Sequence, residues 1–367
     1  MKTVAIVLVL IINVLYASGK DSKNRQFYVG TYTSEGAKGI YLCNFDVVTG
    51  EITLQETFSG IDNPSFLKIS PDKRFLYAVS EKSDEGYVSA FRIDKNGKLI
   101  FINKQSSNGA GPCQVDVSPD DKFVAVANYG GGTTALYPVA ENGSLQPATS
   151  IIINEGSSID KSRQTKPYAH SIKFSPFTKQ VFSADLGTDQ LNIYYLEGDK
   201  LVQKGQKFLK LEPGAGPRHF DFHPDGKTIF VISELNSTIT TFQPKGENWE
   251  KYQTISTLPA DFSGTSYCAD IHVSKDGKYL YGSNRGHNSI AVFEINGQTK
   301  QLKSVGFVSV EGNWPRNFAL SPDGNYLLAA NQRSGNITVF KINKETGMPE
   351  FTGKEIKIPA PVCIEFL

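Results

Sequence analysis

The sequence predicts an all-β protein, a seven-bladed β-propeller whose ring is closed by N-terminal and C-terminal strands sharing one blade. Three observations predict it. First, one pattern recurs six times, an apolar-alternating run, a turn of the type S-P-D-G-K, then a second apolar run. Its turn residue falls at Ser70, Ser118, Ser175, His223, Ser274 and Ser321, so the repeat is roughly 50 residues, the length of one four-stranded blade. Second, no segment carries a helical period, and turns such as "PDG" and "KDG" suit tight hairpins. Third, the two chain ends each hold half of a seventh copy.

The copies run along the chain in order. "QFYVGTYT" near the N-terminus matches the second strand of the pattern and has no first strand before it. "PSFLKISPDKRFLYAVSE", "PCQVDVSPDDKFVAVANY" and "AHSIKFSPFTKQVFSADL" follow, the third preceded by a longer insertion, "NEGSSIDKSRQTKPYAH". Next come "PRHFDFHPDGKTIFVISE", "CADIHVSKDGKYLYGSNR" and "PRNFALSPDGNYLLAANQ". Third strands are read at "QLNIYYL", "STITTF", "NSIAVFEI" and "GNITVFKI". The C-terminal "PAPVCIEFL" supplies the missing first strand, and the chain stops where its turn would begin. Pairing the two ends removes an open sheet edge. Residues 25–367 therefore read as a single propeller domain.

Residues 1–20, within "MKTVAIVLVLIINVLYASGKDS", read as a secretory signal peptide: one lysine, an apolar run, then Ala17, Ser18 and Gly19. The expected setting is exported, periplasmic or extracellular, with no transmembrane segment in the mature chain. The 38 basic and 37 acidic residues give a formal charge of +1 and no basic block, which argues against nucleic-acid partners. A local basic pocket for a small anion remains open. Cys43, Cys113, Cys268 and Cys363 are scattered without a C-x-x-C pair and read as buried free thiols.

Aligning the copies on the turn residue sorts the unusual residues. Five before the turn stand Ser65, Cys113, His170, Arg218, Ala269 and Arg316, with Val362 from the closing strand. Period-two alternation would place this column on the same face as the apolar columns one and three before the turn. Eleven after the turn stand Glu81, Tyr129, Leu186, Glu234, Arg285 and Gln332, with Tyr32 from the first blade. Both columns lie at one end of each hairpin, so the ring gathers them around one mouth of the channel. Asn128, Asp185, Asn284 and Asn331 lie next to them. A single arginine at a strand end is ordinarily a solvated charge or a structural ion pair. The gathering of several around one mouth is what singles these out.

The histidines divide. His223 occupies the turn and reads as structural. His219 and His272 face away from the apolar columns, and His287 follows Arg285 in a loop near the mouth. His219 and His223 share a strand face but stand about 13 Å apart, too far to ligate one metal together. The mouth carries more arginine than a calcium site wants. No metal and no cofactor are expected. "YGGGTT" follows a strand and reads as a flexible connection, not a phosphate loop.

The segments "FYVGTYT", "ANYGGG", "PYAHS", "GPRHFDFHPDG", "SELNST", "NRGHNSI" and "WPRNFALSPDG" resemble the lactonase, seven-bladed β-propeller family over essentially the whole mature chain. That family includes propeller-type 6-phosphogluconolactonases and 3-carboxy-cis,cis-muconate cyclase. The resemblance implies a catalytic cluster of one His, two Arg and one Glu, matched here by His170, Arg218, Glu234 and Arg285. It implies a lactonase acting on a sugar-acid lactone, 6-phosphogluconolactonase-like. The alternatives are a muconate-cyclase-like lactonising isomerase, or a non-enzymatic exported propeller that binds a sugar or protein. Chemically, His170 suits a base, Glu234 suits orienting it or activating water, and Arg218 and Arg285 suit an oxyanion. Arg316, Tyr129, Tyr32, Glu81, Asn284 and Gln332 are the candidate substrate-binding residues. The expected partner is a small anionic lactone, and the chain is expected to be a monomer or weak oligomer.

Overall fold

A computed structural model describes residues 23–367. The leader-like residues 1–20 lie outside the described residues. Seven antiparallel sheets make the molecule. Blade 1 is shared by the two chain ends, in the order Pro361–Phe366, Asn24–Thr31, Ile40–Asp46 and Ile52–Phe58. Blades 2 to 7 begin at the inner strands Leu67–Ile69, Pro112–Val117, Ala169–Phe174, Pro217–Phe222, Tyr267–Val273 and Pro315–Leu320. Consecutive inner strands touch around the ring, and Pro361–Phe366 touches Leu67–Ile69 to close it. The only helix among the described residues is a single 3₁₀ turn, Thr33–Glu35.

The middle strands are apolar on both faces because each blade is covered on both sides. Phe182, Leu191 and Ile193 of blade 4 pack against Phe220, Ile229 and Val231 of blade 5 in one buried cluster. Tyr281 and Val292 of blade 6 pack likewise against Phe318, Leu327 and Phe340 of blade 7. The outer strands face water and alternate, as in the burial pattern of Asn248–Ser256. Blade 4 departs from the plan: its third strand, Gln190–Glu197, pairs with two short pieces, Lys200–Val202 and Phe208–Lys210.

An inner strand has a sheet neighbour on one side only, so its outward N–H groups need other acceptors. Polar side chains of the preceding blade supply them. Asp116 Oδ2 accepts from the Phe174 amide at 2.8 Å, Asp221 Oδ2 from Val273 at 2.9 Å, and Asn317 Oδ1 from Ile364 at 2.8 Å. Glu365 closes the ring by accepting from the Ile69 amide at 3.2 Å.

The recurrent turn serine has a similar local cause. Its Oγ accepts the amide five residues on, at 2.9 Å for Phe75, Phe123, Tyr279 and Tyr326. It also donates to the aspartate two residues on, Asp72, Asp120, Asp276 or Asp323. His223 stands at this position in blade 5 and bonds differently, its Nδ1 accepting the amide two residues on, Asp225, at 3.1 Å. Ser118→Ala leaves a turn amide without its acceptor and is expected to cost about 1 kcal/mol in urea unfolding. A midpoint equal to wild type would contradict this role.

Alternation fails where the sequence extrapolated it furthest. The pairing register shifts between Pro112/Gln114, Ala169/Ser171, Pro217/His219 and Pro315/Asn317. Cys113, His170, Arg218 and Arg316 are thus the extra residues of β-bulges, not members of the apolar face. A bulge re-aims its side chain and bends the strand. The same device repeated around the ring is what turns this column into the mouth. The four cysteines are free and buried.

Candidate active site

The mouth is a cleft of about 430 Å³ lined by Glu81, Cys113, Tyr129, Arg163, His170, Glu234, Tyr267, Arg285, Trp314, Arg316 and Arg333. Arg218, Tyr32 and His219 line a narrow extension beneath it. Five guanidinium groups therefore face two carboxylates, leaving a net positive cleft in a chain that is almost neutral overall.

Glu234 is the organising anion. Gly216 adopts φ 64 just before Pro217, and its carbonyl accepts the Glu234 amide at 2.7 Å. The carboxylate is then caged. Oε2 accepts from Arg218 Nε at 3.1 Å and Arg285 Nη2 at 2.7 Å, and Oε1 accepts from Arg163 Nη2 at 2.6 Å. Burial would raise its pKa, but Arg285, Arg218 and Arg163 override it and hold the group at about 2. A carboxylate held there is a poor proton acceptor. Nor does it hydrogen-bond His170. In this geometry it aligns three guanidinium groups, whereas sequence reasoning expects it to orient the base or activate water.

Arg218 is 2% exposed. It donates through Nη1 to the Ala269 carbonyl and to His219 Nε2. Burial, with Arg285 and Arg316 nearby, pulls its pKa to about 9, so it remains a cation at neutral pH. Arg285 donates through Nη2 to the Cys268 carbonyl at 2.9 Å and lies 5.5 Å from the Trp314 ring centre. Arg316 donates to the Tyr32 hydroxyl at 2.8 Å, and Tyr32 donates to Glu81 at 2.8 Å. Ser65 donates to the same Glu81 oxygen.

His170 is buried against Tyr129, at 5.2 Å between ring centres, with Nδ1 3.8 Å from Cys113 Sγ. Burial, then the Arg218 charge, pushes its pKa well below the usual imidazole value. It is therefore neutral, with a lone pair available, throughout the neutral range.

The structure thus brings together His170, Arg218, Glu234, Arg285, Arg316, Tyr129, Tyr32 and Glu81. Asn284 does not join them. It is fully buried, donating to the Thr257 carbonyl at 2.7 Å and to Ser289, and accepting from the Thr257 hydroxyl at 2.8 Å. It clamps the end of a strand, pointing away from its neighbour Arg285 as adjacent strand residues do. Gln332 is also outside the cleft lining; its amide donates to Glu35 at 2.9 Å across the rim. His287 sits outside the lining too, edge-on to Phe262 at 4.7 Å.

Four cleft residues carry no signal in the blade columns. Arg163 arrives from the inserted loop, where Asp160 accepts its amide at 3.1 Å. Arg333 stacks 3.4 Å from the Trp314 ring centre. Trp314 holds φ 71, a left-handed conformation rare for a bulky residue, with its amide bonded to Asn288 Oδ1 at 2.9 Å. Tyr267 completes that wall, 6.3 Å from Trp314 between ring centres.

Fold and site together define a seven-bladed propeller with a buried His/Arg/Glu cluster at one mouth of its channel. The model of the family described as "Lactonase, 7-bladed beta-propeller" matches residues 26–366, and the chain belongs to that family. A 6-phosphogluconolactonase of Bacillus subtilis is 38% identical over 343 residues, 93% of this chain and 97% of that protein. The solved structure of a Bacteroides fragilis protein, provisionally described as a 6-phosphogluconolactonase, superposes with a TM-score of 0.89 at 35% identity, covering 95% of this chain and 99% of that one. The periplasmic gluconolactonase of Pseudomonas aeruginosa also superposes with a TM-score of 0.89, at 30% identity, covering 94% and 99%.

Proposed function

We propose that the protein is a lactone hydrolase that opens an anionic sugar-acid lactone, 6-phospho-D-glucono-1,5-lactone or a close relative. The observation that carries this reading is the buried His170 lining the same cleft as guanidinium groups that Glu234 holds in place. Water, deprotonated by the His170 imidazole, attacks the lactone carbonyl carbon. The carbonyl oxygen becomes an anion, stabilised by Arg218 and Arg285. Collapse breaks the ring C–O bond, and the departing oxygen takes the proton back from the imidazolium. Products are a free hydroxyl and a carboxylic acid that loses its proton to water at neutral pH, with no external oxidant or reductant.

The rim supports an anionic substrate. Arg333 is exposed, stacked on Trp314, and its guanidinium makes no hydrogen bond to any described residue. Its five donors are free for a phosphate. Arg333→Ala is expected to raise KM for the phosphorylated lactone roughly tenfold while leaving KM for glucono-1,5-lactone unchanged. Equal KM values for the phosphorylated lactone in variant and wild type would remove the phosphate from the reading.

A base with a depressed pKa is active above that pKa. Activity is therefore expected to stay flat from pH 8 down to pH 6, and to fall only below the ordinary imidazole range. An acid limb centred at or above the unperturbed imidazole value of about 6.5 would contradict a neutral His170.

The leader-like residues 1–20 and the periplasmic description of the Pseudomonas aeruginosa relative support an exported setting. N-terminal sequencing of the protein recovered from outside the cytoplasm tests it. The main test is a panel of phosphorylated and unphosphorylated lactones, followed by acid release. No rate above buffer for any lactone would overturn the reading.

A further inference from the structure

Beneath the cleft two buried side chains that the proposed hydrolysis does not use, Asp270 and His219, lead to Arg218. Asp270 Oδ1 is 2.7 Å from His219 Nδ1, and His219 Nε2 is 3.3 Å from Arg218 Nη1. All three residues are buried. Arg218 can only donate, so His219 Nε2 must accept. The His219 proton therefore sits on Nδ1 and is donated to Asp270. The other Asp270 oxygen accepts from Asn317 Nδ2 and faces His272 Nε2 at 3.0 Å, so blades 5, 6 and 7 all fix this carboxylate. His219 also packs edge-on against His170, 5.5 Å between ring centres, and against Phe66 at 6.0 Å.

We propose that Asp270 and His219 are positioning residues. Asp270 locks His219 in the Nδ1–H tautomer, and the Nε2 lone pair of His219 locks Arg218 in the orientation that meets the developing oxyanion. This rests on the proposed lactone hydrolysis for its kinetic consequence, but the tautomer does not. A neutral acceptor suits the task. A second carboxylate here would cancel the Arg218 charge, whereas an imidazole satisfies the guanidinium N–H and leaves the full positive charge for the transition state. Burial and the Arg218 charge keep His219 neutral, holding its pKa at about 4. The bulge that ejects Arg218 from the strand explains how two consecutive residues, Arg218 and His219, reach one another at all.

The test compares His219→Leu, His219→Gln and Asp270→Asn with wild type, each checked for wild-type circular dichroism and thermal unfolding. His219→Leu is expected to lower kcat by roughly tenfold to a hundredfold with KM within twofold, because positioning acts on the transition state. His219→Gln, which restores an acceptor facing Arg218, should recover most of the loss. Asp270→Asn allows the other tautomer and should resemble His219→Leu. Independently of activity, ¹⁵N NMR of the His219 ring should show a neutral Nδ1-protonated imidazole at pH 7. Wild-type kcat in His219→Leu would overturn the proposal. So would loss of folding in His219→Leu without kinetic rescue by His219→Gln, or an Nε2–H or charged ring by NMR. If wild-type protein turned over no lactone, the functional reading would fall and the NMR result alone would decide the tautomer lock.

Discussion

Replacing Arg218 by alanine is expected to lower kcat/KM for lactone hydrolysis by roughly a hundred- to a thousand-fold, the usual loss on removing one oxyanion donor. Arg218 is the most deeply buried of the cleft cations, and it has few ways to be replaced. Its Nε is tied to Glu234, and one Nη to Ala269 and His219. A water filling the gap would bring no charge, and Arg316 is held on Tyr32 by its own hydrogen bond. The loss should appear mainly in kcat, because Arg163, Arg316 and Arg333 still attract the substrate anion. Steady-state kinetics on a phosphorylated lactone check this; a variant within threefold of wild type would show that the oxyanion is met elsewhere.

The second large effect is on stability. Glu234→Gln removes the anion that three guanidinium groups share and is expected to destabilise the fold by about 3 kcal/mol, the lower end for breaking a buried ion pair. Glu234 moves from the ordinary 4.5 to about 2 on folding. A carboxyl with a depressed folded pKa stabilises above its unfolded value, and that stabilisation is lost as pH falls through about 2. Burial of Arg218, whose own pKa is pulled down, offsets part of the gain. Denaturant unfolding should therefore separate variant from wild type at pH 7 and bring them together near pH 2. Equal stability at pH 7 would mean that the arginines find other partners, and would remove Glu234 as the organiser of the site.

The propeller was legible because its causes are local and repeated. Ser118, Ser274 and Ser321 sit in the same turn for the same hydrogen-bond reason, and the two half-blades at the ends pair as their patterns require. The site was legible as far as it rides on that repeat. His170, Arg218 and Arg316 share one bulge position, and Tyr129, Glu234 and Arg285 share one strand end, so aligning turns gathers them without knowledge of side-chain direction.

What was missed lies off the repeat. Arg163 comes from an insertion with no counterpart in other blades. Trp314 and Arg333 flank their hairpin strands and depend on a backbone conformation, φ 71 at Trp314, that no pattern announces. Asn284 was misassigned because proximity in sequence says nothing of direction; it points into the blade and Arg285 into the cleft. Sequence alternation turns His219 away from the apolar columns because it carries strict period two through the bulge. With the bulge in place it supports Arg218 directly.

The most direct test of the account is hydrolysis of 6-phospho-D-glucono-1,5-lactone in ¹⁸O-labelled water by the purified protein, beside His170→Ala. Attack of water on the carbonyl carbon predicts rapid acid release by wild type, one labelled oxygen in the product carboxylate, and loss of the enzymatic rate in the variant. Turnover no faster than buffer, label in the hydroxyl, or undiminished turnover by His170→Ala would contradict it.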